Sequence, residues 1–271
     1  MKNVLITGGP TNEYVDEVMK ITNMSTGSLA LDLAMTALDN HCDVTLVLAN
    51  SVVSSAKYKQ LGLDTNKYVR TFPVETTEDM YSTLKELSKE EFQSVVHTAA
   101  VADYKPEFSF KMEDLARKIA EDIIGPYEKR KSIFNPRIRY TTDEYARDIL
   151  KLMQAGKYKI DNSSKISSSE ENLTIKLTLT TKIIANLRRW FPGAKLIACK
   201  LLENVSHDRL IEVATNLCRK NDMDCIMAND LKELRDGQLV RYLVDKNGEM
   251  GKALLQNGEP NLLDYAREEW F

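Results

Sequence analysis

The sequence predicts an α/β fold built on a doubly wound, mostly parallel sheet. Six short runs of apolar residues have the composition of strands, and helical patterns stand between most of them. Apolar runs without alternation are typical of strands that helices cover on both faces. The regular exchange of strand and helix favours a parallel sheet, in which ligands bind beyond the carboxyl ends of the strands.

The elements follow from the apolar spacing. The predicted strands are residues 3–7, 43–48, 68–72, 94–98, 195–199 and 224–228, and the predicted helices are 27–40, 77–92, 183–191 and 208–220. In the second helix Met80, Leu84 and Leu87 share one stripe, while Thr76 or Thr77 is placed to cap its start. This pattern defines a Rossmann-like core.

Two regions depart from the alternation. Residues 107–164 hold two charged helical patterns, 111–124 and 142–153, around a basic segment rich in helix breakers, and we expect a helical insertion there. After Leu239 a strand and a Lys-Asn-Gly turn predict a C-terminal β extension, followed by a last helix at 261–270. The alternating apolar pattern of that strand, around 239–244, predicts a free edge that pairs with a second copy of the chain. We therefore predict one domain over 1–271, with 107–164 as a lid or a dimer contact.

Composition excludes several classes of protein. Hydrophobic residues make up 43% of the 271 residues, so global disorder is excluded, and the net charge of −3 with interspersed signs does not favour nucleic-acid binding. The four cysteines lack CxxC spacing and the three histidines lie far apart, which predicts reduced thiols and no histidine metal site. Apolar runs are too short for a membrane span, and the first residues already form a strand, so we expect a cytoplasmic protein without a targeting segment.

Polar residues cluster where the first helix begins. Gly8 and Gly9 end the first strand, and Asn23, Ser25 and Thr26 precede Gly27 at the helix start. Free N–H groups and the helix dipole favour an anion there. The glycines could equally form a tight turn, and a hydroxyl could simply cap the helix. Asn23 is not needed as a cap, so its amide can hold a carboxylate or an acyl-phosphate oxygen.

A second group stands at later strand ends. The segment HTAAVADY places the small Ala99 and Ala100, then Asp103, at the carboxyl end of the fourth strand, where a flat ligand can approach the backbone. His97 either packs within the strand or faces the ligand. Lys165, in a serine-rich turn, suits neutralisation of phosphates, as does Lys220 before the last parallel strand. Each lysine could also be a solvated surface residue.

These segments, in this order, resemble phosphopantothenate–cysteine ligase, and the stand-alone bacterial type of that family. The matching segments are Gly8-Gly9, the acidic linker from Glu13 to Asp16, ITNMSTG, and residues 99–103, 165–177 and 220–230. Four single positions depart from the family pattern: Met19 replaces an arginine, Ala30 a glycine, Cys199 a phenylalanine and Asn216 a lysine. The family's lysine-rich K-x-K-K segment is also replaced, by KISS at residues 165–168.

The resemblance implies a two-step reaction in coenzyme A biosynthesis. The carboxylate of 4′-phosphopantothenate attacks the α-phosphate of CTP, in preference to ATP, and pyrophosphate leaves. The amine of cysteine then displaces the nucleoside monophosphate from the acyl nucleotide. The resemblance also implies Mg²⁺ bound through phosphates, a homodimer, no nucleic-acid or membrane partner, and a separate decarboxylase in the pathway, because the sequence opens on the ligase's first strand.

Site residues are carried over by position. Asn23 would hold the acyl intermediate, and Lys165 would stabilise charge that develops on the nucleotide phosphates. The nucleotide-binding residues implied are His97, Thr98, Ala99, Asp103, Lys165, Thr181, Lys182, Ile183, Ile184, Cys199 and Lys220. The phosphopantothenate or phosphate-binding residues implied are Gly8, Gly9, Asn23, Ser25, Thr26 and Gly27.

Two other interpretations stay open at this point. A short-chain dehydrogenase-like, NAD(P)-dependent oxidoreductase would share the first strand and a Tyr-x-x-x-Lys pair, Tyr127 and Lys131, although that pair stands in a breaker-rich segment. A non-enzymatic nucleotide-binding sensor could keep the same fold. Enhanced NADPH fluorescence would favour the dehydrogenase, whereas nucleotide binding without pyrophosphate release would favour the sensor.

Overall fold

The computed structural model describes residues 2–126, 141–156, 158–237, 240–254 and 261–271. The chain divides into two compact units. The first unit comprises Met1–Asn12, Thr22–Asp103 and Thr181–Phe271, and the second comprises Glu13–Ile21 and Tyr104–Thr180.

An eight-stranded sheet forms the centre of the first unit. Its strands, numbered along the whole chain, are β1 (Asn3–Gly8), β4 (Asp43–Ala49), β5 (Val69–Val74), β6 (Ser94–His97), β10 (Lys195–Leu202), β11 (Cys225–Asp230), β12 (Val240–Val244) and β13 (Glu249–Leu254). They lie in the order β13-β12-β11-β10-β6-β1-β4-β5. The six strands from β5 to β11 in this order run parallel, and β12 and β13 are antiparallel. The mostly parallel sheet with a β extension is therefore confirmed.

Helices cover both faces of this sheet. They are α1 (Ser28–Asp39), α2 (Asn50–Val53), α3 (Ala56–Gln60), α4 (Thr77–Leu87), α7 (Ile184–Trp190), α8 (His207–Asn221), α9 (Leu231–Arg235) and α10 (Leu262–Glu269). Val4 and Ile6 of β1 pack in one apolar cluster with α1 and α10, and Leu5 packs in the other with α4, α7 and α8. Because successive strand side chains point to opposite faces, β1 is apolar throughout.

The predicted cap of α4 is confirmed at Thr76. Its side chain accepts a hydrogen bond from the Asp79 backbone, and the Asp79 carboxylate accepts one from the Thr76 N–H at 2.8 Å. This reciprocal pair satisfies two of the N–H groups that a helix start leaves without partners. Glu78 and Asp79 also place negative charge at the positive end of the helix dipole.

The second unit contains a three-stranded antiparallel sheet. Its strands are β7 (Tyr104–Lys111), β8 (Lys159–Ile160) and β9 (Leu173–Leu179), in the order β8-β7-β9, and its helices are α5 (Met112–Ile119), continued by a π-helical turn (Ala120–Ile124), and α6 (Thr142–Ala155). Phe108, Phe110 and Tyr158 pack edge to face in its core. A two-stranded hairpin, β2 (Asn12–Tyr14) and β3 (Lys20–Thr22), supplies residues 13–21.

The structure corrects two expectations and leaves others as predictions. The strand predicted near 239–244 as a free edge for a partner is wrong in that role, because β12 pairs with β11 on one side and β13 on the other. The predicted helical insertion contains both expected helices, but it also contains the end of β7 and all of β8, two strands that the sequence analysis missed. Leu239 lies outside the described residues. No helix in the described part of the chain is long and apolar enough to cross a membrane.

Candidate functional site

The candidate site of the first unit lies where β1 and β6 end side by side. Beyond the last paired residues, Thr98 donates to the Thr7 carbonyl from both its N–H (3.2 Å) and its hydroxyl (2.7 Å). The Ala100 N–H donates to the Gly9 carbonyl at 2.9 Å. The backbones of the two segments therefore continue together past the sheet, at the edge where α/β folds bind ligands.

Three glycines let α1 approach this edge closely. A side chain on Gly8 would overlap the Cβ of Ala30 in α1. Gly9 and Gly27 have φ angles of +89° and +68°, a region that other residues rarely adopt. Ala30, which departs from the family's glycine, fills the space beside Gly8. The glycines thus have a packing reason, and the same close approach brings the start of α1 beside the end of β1.

The start of α1 has no side-chain cap. Gly27 occupies the cap position in the left-handed conformation and has no side chain to accept a cap hydrogen bond. The hydroxyls of Ser25 and Thr26 instead accept long hydrogen bonds, of 3.4 and 3.3 Å, from the N–H groups of Gly27 and Ser28. A helix start of this kind presents N–H groups and a positive dipole end to an anion.

Asn23 is joined to the same edge. Its side-chain Nδ2 donates to the carbonyl of Ala100 at 3.0 Å, so the amide ties the segment before α1 to the end of β6. The residue is exposed. Ser25, Thr26 and Gly27 follow within four residues. The structure therefore brings Asn23 together with the glycines and the small residues of the β6 end.

Asp103 and Lys182 form an ion pair between two distant parts of the sequence. Both side chains are more than half exposed, so the pair contributes little to stability and both groups are accessible to a ligand. Thr181 is also exposed beside them, and Ile184 begins α7. The ion pair thus places these predicted nucleotide-binding residues beside the segment that follows β6.

His97 and Ile183 turn into the core. The His97 ring is buried, and its Nδ1 lies 2.8 Å from the Thr7 hydroxyl. Burial lowers the pKa of His97 to about 4, so the ring is neutral at neutral pH. Ile183 is only 2% exposed. The side chains of these two residues are therefore not available to a ligand, and the predicted contact with a nucleotide could come only from their main-chain atoms.

Cys199 and Lys220 stand apart from this group. Cys199 lies within β10, paired with Met227, and burial raises the pKa of its thiol to about 11, so it is not a thiolate at neutral pH. Lys220 is exposed in the last turn of α8, which leads to the start of β11. A helix that returns the chain to a parallel strand ends at the strand's amino end, so Lys220 lies at the edge opposite Asn23.

Lys165 belongs to the second unit and is exposed there. The neighbouring Ile166 N–H donates to the carboxylate of Asp16 at 2.9 Å. Backbone hydrogen bonds from Ile166, Met19 and Val18 hold the pKa of the Asp16 carboxyl below its ordinary value, and the Lys165 charge acts in the same direction. The sequence analysis identified Asp16 only as part of the acidic linker and assigned it no role in the site.

Two threonines of the first unit were also missed by the sequence analysis. The Thr7 hydroxyl lies 3.3 Å from the Ala99 N–H as well as beside His97, and the Thr11 hydroxyl accepts from the Ala102 N–H at 2.8 Å. Both are fully buried, and they fix the backbone of the β6 end. The signal for Thr7 was a hydroxyl residue at the end of an otherwise apolar strand.

Other features give no second site. A shallow cavity of about 420 Å³ along α8 and the β12–β13 turn includes none of the predicted site residues. The described residues hold no group of three or more His, Cys, Asp or Glu placed to bind a metal. Tyr127 and Lys131, the pair that suggested a dehydrogenase, lie outside the described residues.

Comparison with known proteins agrees with the motif order. Residues 1–123 match the family model described as DNA/pantothenate metabolism flavoprotein C-terminal domain. The coenzyme A biosynthesis bifunctional protein CoaBC of Thermococcus kodakarensis is 26% identical over 232 residues, which are 85% of this chain and 42% of that protein. This chain is therefore similar to part of the CoaBC proteins. It spans less than half the length of the first curated relatives it matches.

Solved structures show the same fold. The DNA/pantothenate metabolism flavoprotein from Streptococcus pneumoniae superposes with a TM-score of 0.68 at 24% identity and covers 94% of this chain and 93% of its own. A Cab2 mutant solved in complex with phosphopantothenate-cysteine gives a TM-score of 0.60 at 14% identity, covering 99% and 87%. These likenesses confirm the Rossmann-like α/β architecture, and the relationship to CoaBC confirms the resemblance read from the motifs.

Proposed function

We propose that this chain is a phosphopantothenate–cysteine ligase that works through an acyl-nucleotide intermediate. The observation that carries the proposal is the junction of β1, β6 and α1. A helix start with glycine at its cap position, a pair of glycines and the Asn23 amide meet there at the carboxyl edge of a parallel sheet. The relationship to the CoaBC proteins and the fold shared with a protein solved with phosphopantothenate-cysteine support the same reaction.

The residues divide the chemistry between the two steps. The N–H groups at the start of α1 hold an anionic group of the substrate, and the Asn23 amide holds the acyl nucleotide once it has formed. Lys165 stabilises the negative charge that builds up on the phosphates when the carboxylate attacks. The exposed pair Asp103 and Lys182 contacts the nucleotide, with Thr181 beside it.

CTP in preference to ATP remains part of the proposal. The position of the family's aromatic residue is occupied by Cys199, a partly buried thiol within β10, which cannot stack on a base. Discrimination between the two bases must therefore come from backbone groups and from the residues around the β6 end. ATP is the natural competitor in any test.

Magnesium is proposed to enter with the nucleotide. Magnesium is commonly held by phosphates and water with one or two carboxylates, so a cage of protein ligands is not required. Among the described residues the exposed Asp103 is placed to contribute a carboxylate, although it is paired with Lys182. The steps assigned above are carried by the chain's own residues.

A homodimer and a decarboxylase in the same pathway complete the proposal. Related CoaBC proteins are named bifunctional, and this chain covers 42–44% of the first two. We therefore propose that a decarboxylase supplies the substrate. The homodimer predicts twice the chain mass of 30.8 kDa by light scattering at micromolar concentration. A fully active monomer would contradict it.

The reaction itself is tested with purified protein, 4′-phosphopantothenate, cysteine and magnesium, adding CTP or ATP in parallel. We expect pyrophosphate and phosphopantothenoylcysteine in equal amounts, with CTP the better substrate. A change of Lys165→Gln should reduce pyrophosphate release by on the order of 10²–10³, since it removes a charge contact made in the transition state. Wild-type protein that releases no pyrophosphate with either nucleotide would refute the ligase proposal.

A further inference from the structure

Two side chains tie the segment that carries Lys165 to the β2–β3 hairpin of the same unit. The Ile166 N–H donates to Oδ2 of Asp16 at 2.9 Å, and Nδ2 of Asn162 donates to the Val15 carbonyl at 3.0 Å. Ile166 is only 7% exposed, whereas Lys165 is exposed. The backbone is therefore held on both sides of an accessible lysine.

The carboxylate that makes this tie is itself rigidly held. Its Oδ1 accepts from the N–H groups of Val18 (2.7 Å) and Met19 (2.6 Å), and the Val15 and Asp16 N–H groups both donate to the Met19 carbonyl. Asp16 is buried although it is acidic. Three backbone donors to one carboxylate form a strong, charge-assisted cluster. A hairpin turn needs only the Oδ1 bonds, so the Oδ2 bond to Ile166 requires a separate explanation.

We propose that Asp16 is the positioning residue for Lys165. Its carboxylate fixes the peptide that joins Lys165 to Ile166, so the ammonium group is presented from a fixed base rather than from a mobile turn. The inference rests on the proposed function, in which Lys165 stabilises phosphate charge. A preorganised cation needs no reorganisation when charge develops, whereas a displacement of about 1 Å can cost on the order of 10²-fold in rate.

The first test is Asp16→Asn, which keeps the size of the side chain. The variant removes the charge and turns one amide NH₂ group toward a backbone donor. We expect pyrophosphate release to slow by roughly 10–100-fold, mainly in kcat rather than in the KM for the nucleotide. Asp161→Asn is the matched control, because Asp161 lies in the same segment and accepts from the Ser163 N–H at 2.9 Å within its own turn. The control should keep the wild-type rate.

The second test asks whether Asp16 acts through Lys165. If it does, the double variant Asp16→Asn with Lys165→Gln should be no slower than Lys165→Gln alone. A general structural role would instead add its own loss in the double variant, and that result would overturn the proposal. Asn162→Ala removes the hydrogen bond to the Val15 carbonyl and should also slow the reaction, but by less than Asp16→Asn. It should have no further effect once Lys165 is replaced.

A third measurement does not depend on turnover. Hydrogen exchange at the Ile166 amide should be faster in Asp16→Asn than in wild type, and unchanged in Asp161→Asn. Equal exchange in all three proteins would overturn the positioning role even if the enzyme is active. If Lys165→Gln keeps the full rate, the role of Lys165 in the proposed function fails, and the positioning role for catalysis falls with it. If Lys165→Gln is slow but Asp16→Asn is not, only the positioning role is refuted.

Discussion

Single side chains at the end of β6 determine which groups support the strand and which reach a ligand. His97 and Thr7 turn inward and hydrogen bond to each other, so they stabilise the backbone that Ala99 and Ala100 expose. Asp103 and Lys182 remain outside as an exposed pair. His97 and Asp103 thus have different roles, one in the core and one at the surface, although they lie six positions apart. Their positions in the sequence did not distinguish these roles.

Asn23 should affect the second step more than the first. Asn23→Asp replaces the Nδ2 donor with a carboxylate that faces the Ala100 carbonyl and repels an anionic acyl nucleotide. We expect the variant to form acyl nucleotide but to convert it to product more slowly, by on the order of 10²-fold. Acid quenching of a single turnover, with detection by mass, reports the intermediate. If Asn23→Asp and Lys165→Gln block the same step equally, the division of roles is incorrect.

His97 should make the stability of the fold depend on pH. Burial holds the pKa of its ring at about 4, whereas the unfolded chain titrates near 6.5. The folded state therefore stays neutral while the unfolded state binds a proton, so the free energy of unfolding should fall as pH decreases from 6.5 to 4. The slope should be about 1.4 kcal/mol per pH unit, roughly 3 kcal/mol in all.

Denaturant unfolding at several pH values measures this effect. His97→Gln should flatten the pH dependence over that window, because a glutamine does not titrate. His41→Gln, at an exposed histidine, is the control and should keep the wild-type slope. A wild-type protein whose stability does not change between pH 6.5 and 4 would show that the ring is protonated without cost.

At the scale of elements, the contact of β1 with α1 creates the candidate site. Because Gly8 has no side chain, Ala30 of α1 packs directly against β1. Gly27 lies at the start of α1 beside Gly9, and the α-carbon of Gly27 faces Val52. The helix therefore begins at the carboxyl edge, after the hairpin β2–β3 and the segment that contains Asn23. The long polar segment between β1 and α1 thus supplies Asn23, Ser25 and Thr26, which a short glycine-rich turn would not contain.

Gly27→Ala should destabilise this contact. The added Cβ would lie 2.5 Å from Cγ2 of the buried Val52, and the φ angle of +68° is unfavourable for alanine. We expect the free energy of unfolding to fall by about 2–4 kcal/mol. Gly193→Ala is the matched control, because a Cβ there has no neighbour within 4 Å. Similar stability of the two variants in denaturant would contradict the packing role of Gly27.

Much of the first unit was predictable because its signals are local. Continuous apolar runs mark β1, β4, β6 and β11, and Thr76 marks the start of α4. The strand β7 was missed because its first half, Tyr104 to Glu107, is polar and mostly exposed. The sequence analysis also missed that β13 covers the second edge of β12, because no local pattern reveals which strands pair. The place of Lys220 could have been predicted, since a residue before a parallel strand lies at its amino end.

At the scale of the whole molecule, each unit carries one of the two proposed catalytic residues. The first unit holds Asn23 at the end of its parallel sheet, and the second holds Lys165 on a segment clamped by Asp16. Neither unit by itself contains both of these residues.

The measurement that tests the central claim most directly is the trapping of the acyl nucleotide. Wild-type protein would be mixed with 4′-phosphopantothenate, CTP and magnesium without cysteine, quenched in acid and examined by mass. We predict phosphopantothenoyl-cytidylate in an amount close to that of the enzyme, with one pyrophosphate released for each, and its loss when cysteine is added. Product formed from cysteine with no trapped acyl nucleotide and no pyrophosphate would contradict the account.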